Sequence, residues 1–311
     1  MILCCGEALI DMIPVATVDG REGFVPHPGG SVFNTAVALG RLGTSVGLLT
    51  GLSTDIFGQQ LRAALEHSHV NTAHLVISDR PTTLAFVKLV NGQASYQFYD
   101  ENSAGRMLQP EHIPALPEEV STLFFGGISL ACEPCADAYA ALLEKEGGSR
   151  VVMLDPNIRP QFIQDEGKYR ARLNRMIAKA RIIKVSDEDL GWIVDGEASF
   201  SDKARALLSM GPELVIVTRG EQGATGILAN GLEITVPANS TDVVDTVGAG
   251  DTFNAGLLAN LAASGGLTTS QLAELGTERL GRALEFATQS AAITVSRPGA
   301  DPPWAEELSP V

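Results

Sequence analysis

The sequence predicts an α/β protein: a doubly wound, mostly parallel sheet with helices on both faces and a small β-sheet lid. Three observations predict it. Short, near-continuous apolar runs alternate with amphipathic stretches along the chain, as strands buried on both faces and followed by helices do. One segment breaks that rhythm and alternates in character around Asn91-Gly92. With 45% hydrophobic and 19% charged residues, no repeat and no long linker, the chain suits a packed core and excludes disorder. Residues 1–311 are read as one domain, with the lid formed by about 12–28 and 80–104.

In chain order, the first strand is expected from Met1 to Ile10 and the first helix from Ser31 to Leu42. A strand at Ser45 to Thr50 and a helix at Phe57 to Ser68 follow. Asn-Gly tolerates the positive φ angles of a type I′ turn, so Thr83 to Val90 and Gln93 to Tyr99 read as a hairpin. It forms either a separate sheet over the strand ends, where open α/β folds bind ligands, or an antiparallel edge of the main sheet. Strands at Thr122 to Phe125, Val151 to Leu154, Ile182 to Val185 and Leu214 to Thr218 then alternate with helices at Cys135 to Glu146, Tyr169 to Ala178 and Asp202 to Met210. Helices at Ala249 to Ala263 and Gln271 to Val295 complete the pattern.

The 22 Lys+Arg against 37 Asp+Glu leave a charge of −15, which opposes nucleic acid and anionic membrane as partners. A bound phosphate must then be met by backbone dipoles or a metal. No apolar stretch reaches the roughly eighteen residues of a membrane span, and Met1 to Cys5 has no basic leader, so a cytoplasmic location is expected. Four cysteines are too few for a disulfide scaffold; Cys4 and Cys5 should face opposite sides of a strand as reduced thiols. Cys132-Glu-Pro-Cys135 matches C-x-x-C, but with no second ligand pair it reads as a loop and helix start.

The strongest chemical signal is Asp245-Thr-Val-Gly248-Ala249-Gly250-Asp251-Thr-Phe253, followed directly by an apolar periodic run. Small residues leading into a helix N-terminus offer free N–H groups and a dipole to an oxyanion. Asp251 in that first turn either caps the helix or serves as a base beside the anion site, the pairing a phosphoryl transferase needs. Neither the Walker spacing nor G-x-G-x-x-G is present.

This run resembles the C-terminal signature of the ribokinase-like (PfkB) carbohydrate kinases, and Pro28-Gly29-Gly30-Ser-Val-Phe-Asn34 through Arg41-Leu-Gly43 resembles their N-terminal one. The likeness runs from Gly6 to Ala300 and implies a ribokinase-like fold and an ATP-dependent sugar kinase. It implies that Asp251 takes the proton from the sugar's primary hydroxyl while the amides of Gly248, Ala249 and Gly250 hold the γ-phosphoryl. Asp11, Gly29, Gly30 and Asn34 become sugar contacts, joined by Phe98 and Tyr99 from the hairpin.

Asp155-Pro-Asn157-Ile-Arg159 emerges at a strand end and resembles the fructokinase-like members; Arg159 holds sugar or phosphoryl oxygens, or else pairs with Asp155 at the surface. Lys184, Ser186, Glu188 and Asp189 fall where the family carries an element linked to Mg²⁺ and phosphate, or form a solvated acidic helix start. Thr218, Arg219, Gly220 and Gly223 resemble the family's nucleotide loop. The resemblance also implies a monovalent cation, K⁺, at Asp245 and Val247.

Within the family, the hairpin and the Gln97 to Leu108 stretch look most like bacterial fructokinases. Asp100 and Glu101 should repel an acidic sugar, favouring a neutral hexose over ketodeoxygluconate. D-Fructose to fructose 6-phosphate is the expected reaction; the alternatives are a ketodeoxygluconate or other sugar kinase, and a non-catalytic sugar-binding regulator. Lid strands that pair between subunits would make a homodimer.

Overall fold

The computed structural model describes residues 1–90 and 93–308. In chain order the elements are β1 (Ile2–Cys5), β2 (Leu9–Ala16), β3 (Glu22–Gly29), α1 (Ser31–Arg41), β4 (Val46–Leu49), β5 (Gly51–Ser53), α2 (Ile56–His67), β6 (Val76–Ser78), β7 (Leu84–Val90) and β8 (Gln93–Tyr99). Then come β9 (Thr122–Gly126), α3 (Cys135–Glu146), β10 (Val151–Asp155), α4 (Glu166–Ile177), β11 (Ile182–Ser186), α5 (Asp187–Ile193) and α6 (Phe200–Leu208). The last are β12 (Leu214–Thr218), β13 (Ala224–Leu228), β14 (Glu233–Val236), α7 (Ala249–Ala263), α8 (Thr269–Ala273) and α9 (Thr277–Val295).

Eight strands form the main sheet in the order β14-β13-β12-β11-β10-β9-β1-β4. Six of them, from β12 to β4, run parallel; β13 and β14 are antiparallel additions at one edge. Alternate residues feed two separate cores. Cys4, Leu48, Phe124, Met153 and Ile216 pack under α1, α7 and α9, whereas Cys5, Leu49, Phe125, Leu154 and Val217 pack under α3, α4 and α6. Cys4 and Cys5 thus lie on opposite faces, as a strand's period of two requires, and all four cysteines are buried and free. Burial pushes the Cys132 thiol up to about 12 and Cys135 upward as well, so neither is an ionised nucleophile.

A second sheet, in the order β3-β2-β7-β8, stands apart from the first. The hairpin of β7 and β8 belongs to it, not to the edge of the main sheet, with Val90 opposite Gln93. The Asn91-Gly92 turn itself lies outside the described residues. The strand expected from Met1 to Ile10 is two: β1 enters the main sheet and β2 the smaller one. They part at Gly6, where a Cβ would collide with Val32 Cγ2, so α1 lies hard against the crossing. The helix expected from Gln271 to Val295 is also two, broken at Glu274 to Gly276 between α8 and α9. α7 is buried almost all round, because it is wedged between the sheet, α1 and α9.

Candidate active site

The site lies at the carboxyl ends of the parallel strands, where the register brings Ser186 beside Thr218 and ends β10 at Asp155. α1 and α7 both begin here. Gly30 caps α1 at φ 106°, with room only for hydrogen because a Cβ would stand 3.0 Å from the Glu7 carbonyl oxygen. Gly248 caps α7 at φ 77°, in the left-handed region that glycine alone enters freely. Ala249 and Gly250 form the first turn, and a Cβ on Gly250 would lie 3.3 Å from Lys184 Nζ. The Lys184 ammonium therefore lies beside the first turn of α7, which suits a phosphoryl group, but of the three amides expected there that of Ala249 is already taken, donating to the Thr246 carbonyl oxygen at 3.3 Å.

Asp251, one residue further on, is buried. Its Oδ1 accepts from Ser31 Oγ at 2.8 Å and its Oδ2 from Asn34 Nδ2 at 2.9 Å. Burial pushes this carboxyl up to about 6; the Asn34 and Ser31 hydrogen bonds oppose that rise, Asp155 adds to it and Lys184 subtracts. Ser31 Oγ also accepts from Asn157 Nδ2 at 3.0 Å. Beneath them Asp155 Oδ2 accepts from Lys184 Nζ at 3.0 Å and from Asn254 Nδ2 at 2.6 Å. Four elements are thereby tied into one polar network: α1, the end of β10, β11 and α7.

The smaller sheet supplies the opposite wall. Asp11 on β2 pairs in register with Ala85, and Ala85 with Phe98, so Asp11 and Phe98 share a face. The Asp11 carboxylate covers Gly29, and burial pushes it up to about 6. Phe98 meets Phe162, just beyond Arg159, edge to face at 4.4 Å. Tyr96 lies on the same face, and burial pushes its hydroxyl upward, with the charges of Asp11 and Asp245 adding to that rise and Arg159 opposing it.

Several expected site residues stand differently. Tyr99 points away from Phe98: its ring packs on Phe86, which packs on Phe24, on the outer face of the sheet. Asp189 is turned inward as the capping partner of Ser186, and its Oδ1 accepts from the Ile158 amide at 3.1 Å, so it braces the loop before Arg159. Glu188 remains exposed. The Arg219 guanidinium lies over the Phe200 ring at 4.7 Å and donates to Thr225 Oγ1, so its donors are engaged within the protein. Thr218, Gly220 and Gly223 form the tight turn between β12 and β13. Arg159 donates to its neighbour's carbonyl, and among the described residues it pairs with no carboxylate, Asp155 included. Asp100, expected to bear an open charge, is paired with Arg106 at 2.8 Å. Asp245 accepts from the amides of Val247 and Gly299, closing that loop on the C-terminal turn.

Among the described residues no group of three or more His, Cys, Asp or Glu could cage a metal ion. The donor set fits a divalent metal carried in with phosphates and not one held by a cage of side chains, and Glu188 is an exposed carboxylate in the first turn of α5. No helix of the described residues is long and apolar enough to cross a membrane. Sequence reasoning overlooked Ser31, Asn157 and Asn254. Ser31 and Asn157 lay inside motifs already singled out and Asn254 directly after one, and the signal was their amide or hydroxyl groups beside the chosen residues.

An anion site at a helix start, a buried carboxylate beside it and a polar cleft roofed by a separate sheet are what a phosphoryl transferase acting on a hydroxylated substrate needs. Comparison with known proteins agrees. Residues 1–307 match the pfkB family carbohydrate kinase model, and the chain belongs to that family. It is 49% identical to a fructokinase of Rhizobium leguminosarum bv. trifolii over 90% of this chain and 85% of that protein. Fructokinase from Xylella fastidiosa with bound ATP superposes with a TM-score of 0.86 at 27% identity, covering 96% of this chain and 93% of that one. A fructokinase double mutant from Vibrio cholerae O395 in its fructose, ADP and potassium ion bound form gives 0.82 at 25%, covering 96% and 93%.

Proposed function

We propose that this carbohydrate kinase takes D-fructose as its sugar and makes fructose 6-phosphate. The observation that carries the reading is the Asp251 carboxylate, buried in the first turn of α7 between the Asn34 amide and the amide-and-lysine anion site. Asp251 takes the proton of the primary hydroxyl as that oxygen attacks the γ-phosphoryl, and the N–H groups of Gly248 and Gly250 with Lys184 hold the charge. Asp11 and Asn34 orient the sugar, Phe98 covers its apolar edge, and Arg159 holds oxygen atoms at the mouth. Thr218, Gly220 and Gly223 border the nucleotide. Bound Mg²⁺ would neutralise the phosphates, with Glu188 in reach of its waters, and K⁺ would lie at Asp245 and Val247.

The reading includes one kinase domain whose residues 12–28 and 80–104 close over the sugar, in the cytoplasm. It also includes a homodimer paired through the smaller sheet, a pairing supported by the exposed Phe24, Val25 and Tyr99. ATP turnover with fructose, ribose, adenosine and ketodeoxygluconate tests it. Fructose should give the highest kcat/KM, and a higher value for ketodeoxygluconate would transfer the assignment to an acid-sugar kinase.

A further inference from the structure

We propose that Ser31 is a positioning residue for Asp251, the middle of a chain Asn157–Ser31–Asp251 that aims one hydrogen bond at the base and favours its ionised form. This rests on the reading of Asp251 as the general base. Ser31 is the first residue of α1, and its backbone N–H donates to the buried Glu7 Oε1 at 3.1 Å, so its place is fixed from behind. An ionised carboxylate can only accept, so the Ser31 hydrogen must point at Asp251 Oδ1, 2.8 Å away. The Ser31 oxygen then receives a hydrogen of the Asn157 amide at 3.0 Å. Asn157 is itself held, with φ at 44° and its N–H donating to Asp155 Oδ1 at 3.2 Å. Asparagine enters the left-handed region more readily than most residues, and from it the Asn157 side chain reaches α1.

Ser31 differs from the other donor on Asp251. Asn34 has a second duty toward the sugar, whereas both hydrogen-bond directions of the Ser31 hydroxyl are taken within the protein. When sugar binds, Ser31 is the constant partner of the base. The charged groups around Asp251 are Asp155 at the end of β10 and Lys184 in the middle of β11, which pair with each other and act in opposite senses. Glu7 stands behind Ser31, and Asp11 faces the cleft from β2. Removing the Ser31 hydroxyl leaves all four in place and takes away one stabiliser of the carboxylate. Protonation becomes easier, so the acid limb of kcat/KM moves to higher pH, by about one pH unit for a hydrogen bond to a charged group.

The test uses the full chain with Ser31→Ala, Ser31→Thr, Asn157→Gly and Asp251→Asn. Two quantities are read: kcat/KM for fructose against pH, and the ¹³C titration of the Asp251 carboxyl without substrates, assigned by its loss in Asp251→Asn. In Ser31→Ala both should rise by about one pH unit, in Asn157→Gly by about half as much, and Ser31→Thr should restore the parent values. A Ser31→Ala titration that stays in place overturns the proposal, as does a Ser31→Thr that fails to restore it, since side-chain packing would then be the cause. Should Ser31→Ala fail to fold, an unmoved carboxyl in Asn157→Gly overturns the chain. Near-normal kcat in Asp251→Asn would sink the base reading alone, and the carboxyl titration would still decide what Ser31 does.

Discussion

Asp251→Asn should make the enzyme slower and the fold more stable, and the two effects share one cause. The Asp251 carboxyl stands at about 6 in the folded protein against an ordinary 3.8, because burial penalises its charge. A rise of that size is worth about 3 kcal/mol of lost stability once the group is ionised in both states. The sign follows from proton uptake. The folded state holds its proton more tightly, so the contribution is harmless below the unfolded value and becomes a full penalty above the folded one. Asparagine removes the charge but not all the strain. Its oxygen can serve Asn34, but its amide then faces Ser31, which must turn its hydrogen away while still meeting Asn157. We therefore expect a net gain of about 1–2 kcal/mol in urea unfolding at about pH 8, shrinking toward zero as pH falls from about 6 to 4. Turnover should drop by about two to four decades while fructose and ATP still bind. A mutant with near-normal kcat, or one less stable than the parent at about pH 8, would refute the reasoning.

Fructose should be preferred over ketodeoxygluconate by at least about tenfold in kcat/KM at equal ATP and Mg²⁺, because Asp100 is paired with Arg106 but Asp11 forms no ion pair among the described residues. Amide exchange in β7 and β8 should slow when saturating fructose is added, and an unchanged rate would make the smaller sheet a fixed wall. Asp11 also stands at about 6, so KM for fructose should rise as pH falls below that value while KM for ATP holds; parallel changes in both would remove Asp11 from the sugar. Gly256→Val should cost about 2 kcal/mol in thermal unfolding, since its Cβ would lie 2.8 Å from Ala287 Cα where α7 crosses α9; no loss would mean that the crossing can open.

The parallel strands were legible because burial on both faces leaves continuous apolar runs, such as Val151 to Leu154, that few other structures produce. β3 was not. Glu22 to Gly29 carries Pro26 and Pro28 and is largely exposed, and such a strand persists only at a sheet edge, where missing donors cost nothing. The break between β1 and β2 depends on α1 pressing on Gly6, a tertiary contact with no local sign. In the site, Asp251, Asn34 and Lys184 were visible as chemistry placed at helix starts and strand ends. Ser31 and Asn157 were not, because their importance lies in a contact between residues of separate elements. The parity of β8 was available and unused: adjacent Phe98 and Tyr99 cannot face one cleft.

On the proposed reading a chain with a charge of −15 collects a polyanionic nucleotide, and it would do so through local donors. Lys184 is buried against Asp155, so its charge is offset at short range while its ammonium still lies beside the first turn of α7. The same pair acts on Asp251 with opposite signs, leaving burial to set how basic that carboxylate is. Basicity matters in both directions. A surface carboxylate near 4 would be ionised but too weak to draw a proton from a sugar hydroxyl, whereas one buried without donors would be protonated at neutral pH. Asn34 and Ser31 hold Asp251 between those limits, charged at about pH 7 yet more basic than any exposed aspartate. The two residues that accomplish this sit one turn apart at the start of α1, the helix whose entry Gly30 makes possible.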